Sequence, residues 1–404
     1  MNEQLHLLYV TPSVSRLIYG IFEVERNLAH QLSARGIPVD VEGLVDACTE
    51  ADLPRWRPLV PSVHKVSGPQ IVGYSPSFYS KLMASKANVG HIHSLWSYTT
   101  YALYKWAKAR RAPYLVTPNG MLDEWALKNS KWKKDIARFV CIDKILKEAS
   151  CIQVNTMAEY ESVRKLGLKN PVCVVNNGVN LPDLSLSHAS PWRDLSDTKG
   201  KKVLLYLSRI HHKKGVHLLL QAWKELIERN IRGSEEWHLA VVGFKFDNNA
   251  YEKELLSFIK DNGMSGRVST LGEQHGDAMG DCYFCCDAFI LPSYSEGVPI
   301  APLNAWAYAK PVIVTSGCNI DEGYRAGAAV KVEPEPVSIR EGIEALIQSP
   351  AAKREEMGRR GRELVEAKFS WNAVGEQMTE VYQWLLDGRG IPTSMVDDGS
   401  MPGR

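Results

Sequence analysis

Residues 288–315, Ala288-Phe-Ile-Leu-Pro-Ser-Tyr-Ser-Glu-Gly-Val-Pro-Ile-Ala-Pro-Leu-Asn-Ala-Trp-Ala-Tyr-Ala-Lys-Pro-Val-Ile-Val-Thr315, read as strand, loop, helix and strand. Ala288–Leu291 is an apolar run of strand length. Pro292, Ser293 and Ser295 break it. A helical run follows from about Pro299 to Tyr308. Pro299 and Pro302 suit its first turn, where a missing N–H costs no hydrogen bond. Pro311-Val-Ile-Val-Thr315 is the next strand. In such a unit the carboxyl end of the first strand and the helix N-terminus face a ligand crevice. The free N–H groups and the dipole of that helix favour a phosphate, and Glu296 stands beside them.

The stretch resembles the signature of retaining glycosyltransferases of family 4, which have the GT-B fold. The family pattern is Pro-Ser, Glu, seven residues, a second Glu, then Gly and Pro-Val. Pro292-Ser293, Glu296 and Pro311-Val312 match it, while Asn304 replaces the second Glu and Ala309 the Gly. By resemblance Glu296 contacts the hydroxyls of the donor sugar and Asn304 sits at the nucleotide ribose. Asn304 keeps hydrogen bonding without the charge that makes carboxylate bonds the stronger ones.

A chain of 404 residues makes two or three domains at a prior of roughly 150 residues each. A net charge of +2 argues against a nucleic-acid binder driven by bulk charge. The start, Met-Asn-Glu-Gln-Leu-His, shows no signal peptide pattern, and no uncharged run reaches the roughly 18 apolar residues of a membrane span. The eight cysteines, without a secretion signal, suggest reduced thiols and a cytoplasmic protein. Cys282, Cys285 and Cys286 form the only cluster, read as thiols on a helix. No second pair of zinc ligands is evident, so neither a metal nor a resident cofactor is expected.

Upstream, Leu7–Thr11 is a strand, Thr11–Tyr19 a loop, Gly20 to about Ala34 a helix, and Val39-Asp-Val-Glu-Gly43 a strand. This is the opening of a doubly wound domain. The family usually has two glycines in that loop, where backbone N–H groups approach the donor diphosphate. Tyr19-Gly20 keeps one, and a plain turn glycine is the alternative. Val89-Gly-His-Ile-His93 is a strand with His91 and His93 on one face. His93 at its end is either a contact to acceptor or donor or a structural histidine. Tyr114-Leu-Val-Thr-Pro-Asn-Gly-Met-Leu-Asp123 resembles the family's Pro-(His/Arg)-Gly-Met-Leu segment, with Asn119 where many relatives place a donor-contacting His. The segment Lys128–Lys147 interleaves seven basic residues with Trp132, Phe139 and Ile142. It is either a basic face for peripheral contact with an anionic membrane or a solvated helix face. Thr156-Met-Ala-Glu159 has capping-box spacing.

Val203-Leu-Leu-Tyr-Leu207 opens a second domain. Ser208-Arg-Ile-His-His-Lys-Lys-Gly215 resembles the family's Ser-Arg-x-x-x-x-Lys-Gly motif, so Arg209 and Lys214 match its two diphosphate-binding cations. A departing nucleoside diphosphate gains negative charge, and placed cations stabilise it. Backbone N–H groups near Pro299, Ile300 and Ala301 add to them. By resemblance the strand ending at Gly272 contacts the base.

The reading is an α/β protein of the GT-B fold, two Rossmann-like doubly wound domains facing across a cleft. Residues 1–180 form the acceptor-side domain, 181–200 a linker and 201–370 the nucleotide-sugar-binding domain. Residues 371–386 form a helix crossing back to the first domain, and 387–404 a disordered tail. The expected activity is sugar transfer from a nucleoside-diphosphate sugar to an acceptor hydroxyl with retention. The acceptor implied by resemblance is a glycan or lipid-linked glycan of bacterial surface polysaccharide synthesis. The rivals are a degenerate, non-catalytic homologue that binds sugar nucleotide or acts as a scaffold, and an epimerase or phosphorylase on the same fold.

Overall fold

The computed structural model describes residues 4–18, 20–70, 72–123, 127, 141–192, 195–247, 249–297 and 299–399. Most of the basic segment, 128–140, lies outside them, as does Tyr19. The chain forms two compact units, Met1–Gly178 with Trp371–Arg404, and Val179–Ser370.

The first unit holds a seven-stranded, all-parallel sheet. Its strands are β1 (Leu7–Val10), β2 (Val39–Leu44), β3 (Ser62–His64), β4 (Val89–Ile92), β5 (Tyr114–Val116), β6 (Cys151–Val154) and β7 (Val172–Val174). The order is β3-β2-β1-β4-β5-β6-β7, so the winding reverses between β1 and β4. The central strands run mostly apolar because helices cover both faces of a parallel sheet, and β1, β4, β5 and β6 are buried throughout, whereas β3 at one edge is only half-buried. Helix α1 (Gly20–Ala34) turns Phe22, Leu28, Ala29 and Leu32 inward. The closing helix Trp371–Asp387 packs against α1. Its Tyr382 hydroxyl bonds to Tyr9 Oη at 2.7 Å and His91 Nδ1 at 2.6 Å.

The second unit holds a six-stranded parallel sheet of order β10-β9-β8-β11-β12-β13. Its strands are β8 (Lys202–Leu207), β9 (Trp237–Phe244), β10 (Val268–Gly272), β11 (Ala288–Leu291), β12 (Val312–Thr315) and β13 (Ala329–Val332). The winding reverses between β8 and β11. Two adjacent strands therefore deliver the Ser208–Gly215 loop and the Pro292–Gly297 loop to the same place.

Two boundaries differ from expectation. The 181–200 segment packs on the second unit instead of running free. Trp192 is buried with its Nε1 donating to Cys285 O at 3.2 Å, and His188 stacks on Phe284 and bonds Asp281 at 2.8 Å. Beyond the closing helix, residues through 399 are placed and not a loose tail. Val174 N donates to Ser394 O at 2.8 Å and Val396 N to Val172 O at 2.9 Å. Asp398 accepts from Tyr160 and Arg164 at 2.6 and 2.7 Å. The segment thus pairs with the outer side of β7, the edge strand whose inner side pairs with β6.

Ala309, at the position where a Gly was expected, has φ +55°. A left-handed residue with a Cβ carries about 1–2 kcal/mol of strain. Ala309→Gly is expected to stabilise the protein by about 1 kcal/mol, less what glycine adds to unfolded-state entropy. The shift in the urea midpoint measures it, and no gain would refute the strain.

Candidate active site

In the second unit the Lys214 ammonium meets both carboxylate oxygens of Glu296 at 2.7 Å. The Lys214 side chain is 18% exposed and that of Glu296 8%. The sequence makes this pair local despite its long separation. Lys214 ends a single turn, His212–Lys214, after β8, and Gly215 closes it at φ +72°. Glu296 ends the loop after β11. The loops are stitched together by Tyr294 N donating to Lys213 O at 2.9 Å and Ser293 Oγ to the same oxygen at 3.1 Å. Ser293 Oγ also donates to Glu296 Oε1, and Thr315 Oγ1 to Ser293 O. Asn319 Nδ2 donates to Glu296 O at 2.8 Å, and Glu296 N to Gly317 O at 2.8 Å. Both sides of Glu296 are thus anchored before any ligand arrives.

A cavity of about 230 Å³ adjoins the pair. Lys214, Glu296, Pro299, Ile300, Ala301 and Asn304 line it, together with Ser208, Met279 and Tyr283, among others. Helix α2 (Ile300–Ala307), capped by Pro299, starts there. Pro299 and Pro302 have no N–H, so the donors at this helix start come from Ile300 and Ala301. The Tyr283 hydroxyl is buried beside Asn304 with no aligned hydrogen bond among the described residues. Burial pushes its pKa up, so it stays a neutral hydroxyl. One arrangement therefore gathers a cation, a carboxylate, two helix N–H groups and neutral polar groups.

Other expected residues lie elsewhere. Arg209 is exposed on the loop after β8, outside the cavity lining, and its side chain makes no hydrogen bond or ion pair among the described residues. Gly272 ends β10 at a register shift opposite Phe244, also outside the lining. Cys282 and Cys286 are buried and Cys285 partly so.

In the first unit, Gly20 begins α1, and a Cβ there would meet nothing within 4 Å. Packing gives no reason for glycine at that position. His93 follows β4 and is 1% exposed, with no partner for either ring nitrogen among the described residues. Burial pushes its pKa down to about 3, so it is neutral. Asn119 Nδ2 donates to His93 O at 3.1 Å, and Asn119 Oδ1 accepts from Asn155 Nδ2 at 3.2 Å. Asn119 and Gly120 both have positive φ, +49° and +75°, a turn that Asn-Gly adopts readily.

Sequence reasoning gave Ser208 only as the start of its motif and did not single out Tyr283 and Met279 of the lining or the buried Glu25. Glu25 is 2% exposed on the inner stripe of α1, its carboxyl oxygens lacking aligned partners among the described residues. Burial pushes its pKa well above the usual carboxylate range. Its spacing from Phe22, Leu28 and Leu32 was the available signal.

Residues 192–364 match the family model described as glycosyl transferases group 1, and residues 20–178 match the glycosyl transferase 4-like domain. An uncharacterized glycosyltransferase of Methanocaldococcus jannaschii is 26% identical over 62% of this chain and 61% of its own length. D-inositol 3-phosphate glycosyltransferase of Corynebacterium jeikeium is 22% identical over 89% of this chain and 90% of its own. The lipopolysaccharide 1,2-N-acetylglucosaminetransferase of Salmonella typhimurium is 30% identical, and the chain spans only 50% of its length. Among solved structures, HepE of Anabaena in complex with UDP and glucose superposes with a TM-score of 0.69, 17% identity, and 94% and 99% of the two chains covered. With one family model on each unit and the GT-B fold between its structural neighbours and itself in common, the chain belongs to the GT-B glycosyltransferases of the group 1/4 family.

Proposed function

We propose that the chain is a retaining glycosyltransferase that moves a sugar from a nucleoside-diphosphate sugar to an acceptor hydroxyl. The Lys214–Glu296 pair at the head of α2, inside one cavity with Asn304, carries the proposal. The diphosphate lies against Lys214 and the Ile300 and Ala301 N–H groups, with Arg209 reaching it from its exposed loop. Glu296 orders the sugar and Asn304 the ribose. The bond from the anomeric carbon to the diphosphate oxygen breaks, and the acceptor oxygen bonds to the same face. The acceptor's proton passes to the leaving phosphate oxygen. Developing charge on that oxygen is what Lys214 stabilises. The nucleotide sugar is a co-substrate and no resident cofactor takes part.

The acceptor is a glycan or lipid-linked glycan, as the Salmonella relative's name supports. The protein works in the cytoplasm, with peripheral membrane contact through the 128–147 segment, which co-sedimentation with anionic liposomes tests. Among the described residues no helix is long and apolar enough to cross a membrane.

The test is release of nucleoside diphosphate from a panel of uridine, guanosine and adenosine diphosphate sugars. Release with one donor, lost in Arg209→Ala, is the expected result; absence of both binding and release across the panel overturns the proposal. A second reading, a non-catalytic binder, is favoured by the uncharged Asn304. It predicts donor binding without release in both the native protein and Asn304→Glu.

A further inference from the structure

The loops at the carboxyl ends of β4, β5 and β6 are tied by one line of hydrogen bonds. Asn119 Nδ2 donates to His93 O, and Asn155 Nδ2 donates to Asn119 Oδ1. Asn155 donates again to Glu159 Oε2, from its backbone N at 2.9 Å and from Nδ2 at 3.3 Å. The backbone N of Gly120 also donates to the Glu159 carboxylate. Glu159 opens the helix Met157–Lys165, and its own N–H is capped by Thr156 Oγ1 at 3.3 Å. It is 6% exposed, beneath the Asn119–Gly120 turn. Every bond reaching its side chain comes from a donor, so the line is built for an ionised carboxylate.

We propose that Glu159 is a positioning residue that orients the Asn119 amide through Asn155, and that adding a proton to Glu159 releases that orientation. The inference rests on the reading of Asn119 as a substrate contact. A protonated carboxyl oxygen facing Asn155 Nδ2 would set donor against donor. The conflict is relieved when the Asn155 amide turns over. Its Oδ1, buried and without a partner as the structure stands, then accepts the new Glu159 O–H. The turn removes the donor from Asn119 Oδ1 and leaves the Asn119 side chain tied only to His93 O. The proton is taken up from solvent and returned to it at Glu159, and no other group changes protonation.

Burial lifts the Glu159 pKa to about 7. Among the described residues Asp123, from the loop after β5, is the titratable side chain that faces it, and its charge adds to the rise. Pro118, Leu122, Val154 and Val163, the apolar walls around it, carry no charge.

The test uses the full chain with asparagine side chains labelled with nitrogen-15. The Asn119 and Asn155 amide signals are assigned by their loss in Asn119→Asp and Asn155→Asp. Between pH 5.5 and 8.5 the Asn119 signal of the native protein should move with a midpoint near 7, and in Glu159→Gln it should stay flat. An Asn119 signal that is flat in the native protein, or that titrates equally in Glu159→Gln, overturns the proposal. In parallel, kcat/KM for donor turnover should rise about tenfold through the same midpoint, and Glu159→Gln should lose that limb while remaining folded by thermal melt. A rise that survives Glu159→Gln also counts against it. If no donor turns over at any pH, the proposed function fails, and the amide signals still decide the inference.

Discussion

Lys214→Ala is expected to lower kcat/KM for nucleoside-diphosphate release by about 10³-fold, roughly 4 kcal/mol, the size of losing one preorganised charge from a leaving group. The same change leaves the Glu296 carboxylate, 8% exposed, with its cation gone. Removing one partner of a well-buried pair costs about 3–5 kcal/mol of stability, and the partial exposure of Lys214 puts this site at the low end. The two losses separate in the double variant Lys214→Ala/Glu296→Gln. Neutralising the orphaned carboxyl should recover most of the melting temperature and none of the turnover. Turnover within threefold of native in Lys214→Ala would remove the cation from the mechanism. Recovered turnover in the double variant would show that Lys214 serves only to hold Glu296.

Gly215→Ala should have the second largest effect, through geometry and not charge. Gly215 sits at φ +72°, and a Cβ there would lie 2.0 Å from Pro292 O. The backbone conformation alone costs an alanine about 1–2 kcal/mol. The contact is with main chain, so the loop after β8 must move away from the loop after β11 by about 1 Å. A misplacement of that size at reacting groups costs on the order of 10²-fold in rate. Gly215→Ala should therefore lose about 10²-fold in kcat/KM along with several degrees of melting temperature. Native turnover in this variant would mean that the two loops need not touch for the chemistry. The same argument applies to Gly243, whose Cβ would fall 1.9 Å from Ser208 O.

Much of the doubly wound sheets was legible because strands such as β1, β8, β11 and β12 are short apolar runs ended by Gly, Pro or polar residues; β3 (Ser62–His64) and β13 (Ala329–Val332), short and only partly buried, were not read. Ala288–Leu291 and Pro311–Thr315 were read as strands, and the strands run Ala288–Leu291 and Val312–Thr315. Which loops meet was legible only through motifs. Nothing in spacing alone brings Lys214 to Glu296; adjacency of β8 and β11 does. Glu25 escaped notice because a carboxylate on an apolar stripe reads as the edge of a solvated face until burial is known. The residues after the closing helix misled for a different reason. Their Gly, Pro, Ser and Asp content speaks of weak side-chain packing, whereas Ser394 and Val396 are held by backbone bonds to β7, which composition does not report.

The first unit is assembled from two separate pieces of chain, with the second unit inserted between them. During synthesis the ribosome releases the whole of Val179–Ser370 before Tyr382 exists. All seven strands of the first sheet emerge before the second unit, and what the first unit waits for is its closing helix and the segment beside β7. Until residues 371–399 follow, Tyr9 and His91 lack their shared hydroxyl partner, α1 lacks the closing helix that packs against it, and the β7 edge stands open. A nascent first unit thus has all its strands but an uncovered face and an exposed border, the kind of intermediate that associates with its neighbours. Growth conditions that slow translation near the 3′ end of the message should prolong that state, and yield of folded protein should be limited there and not by the second unit.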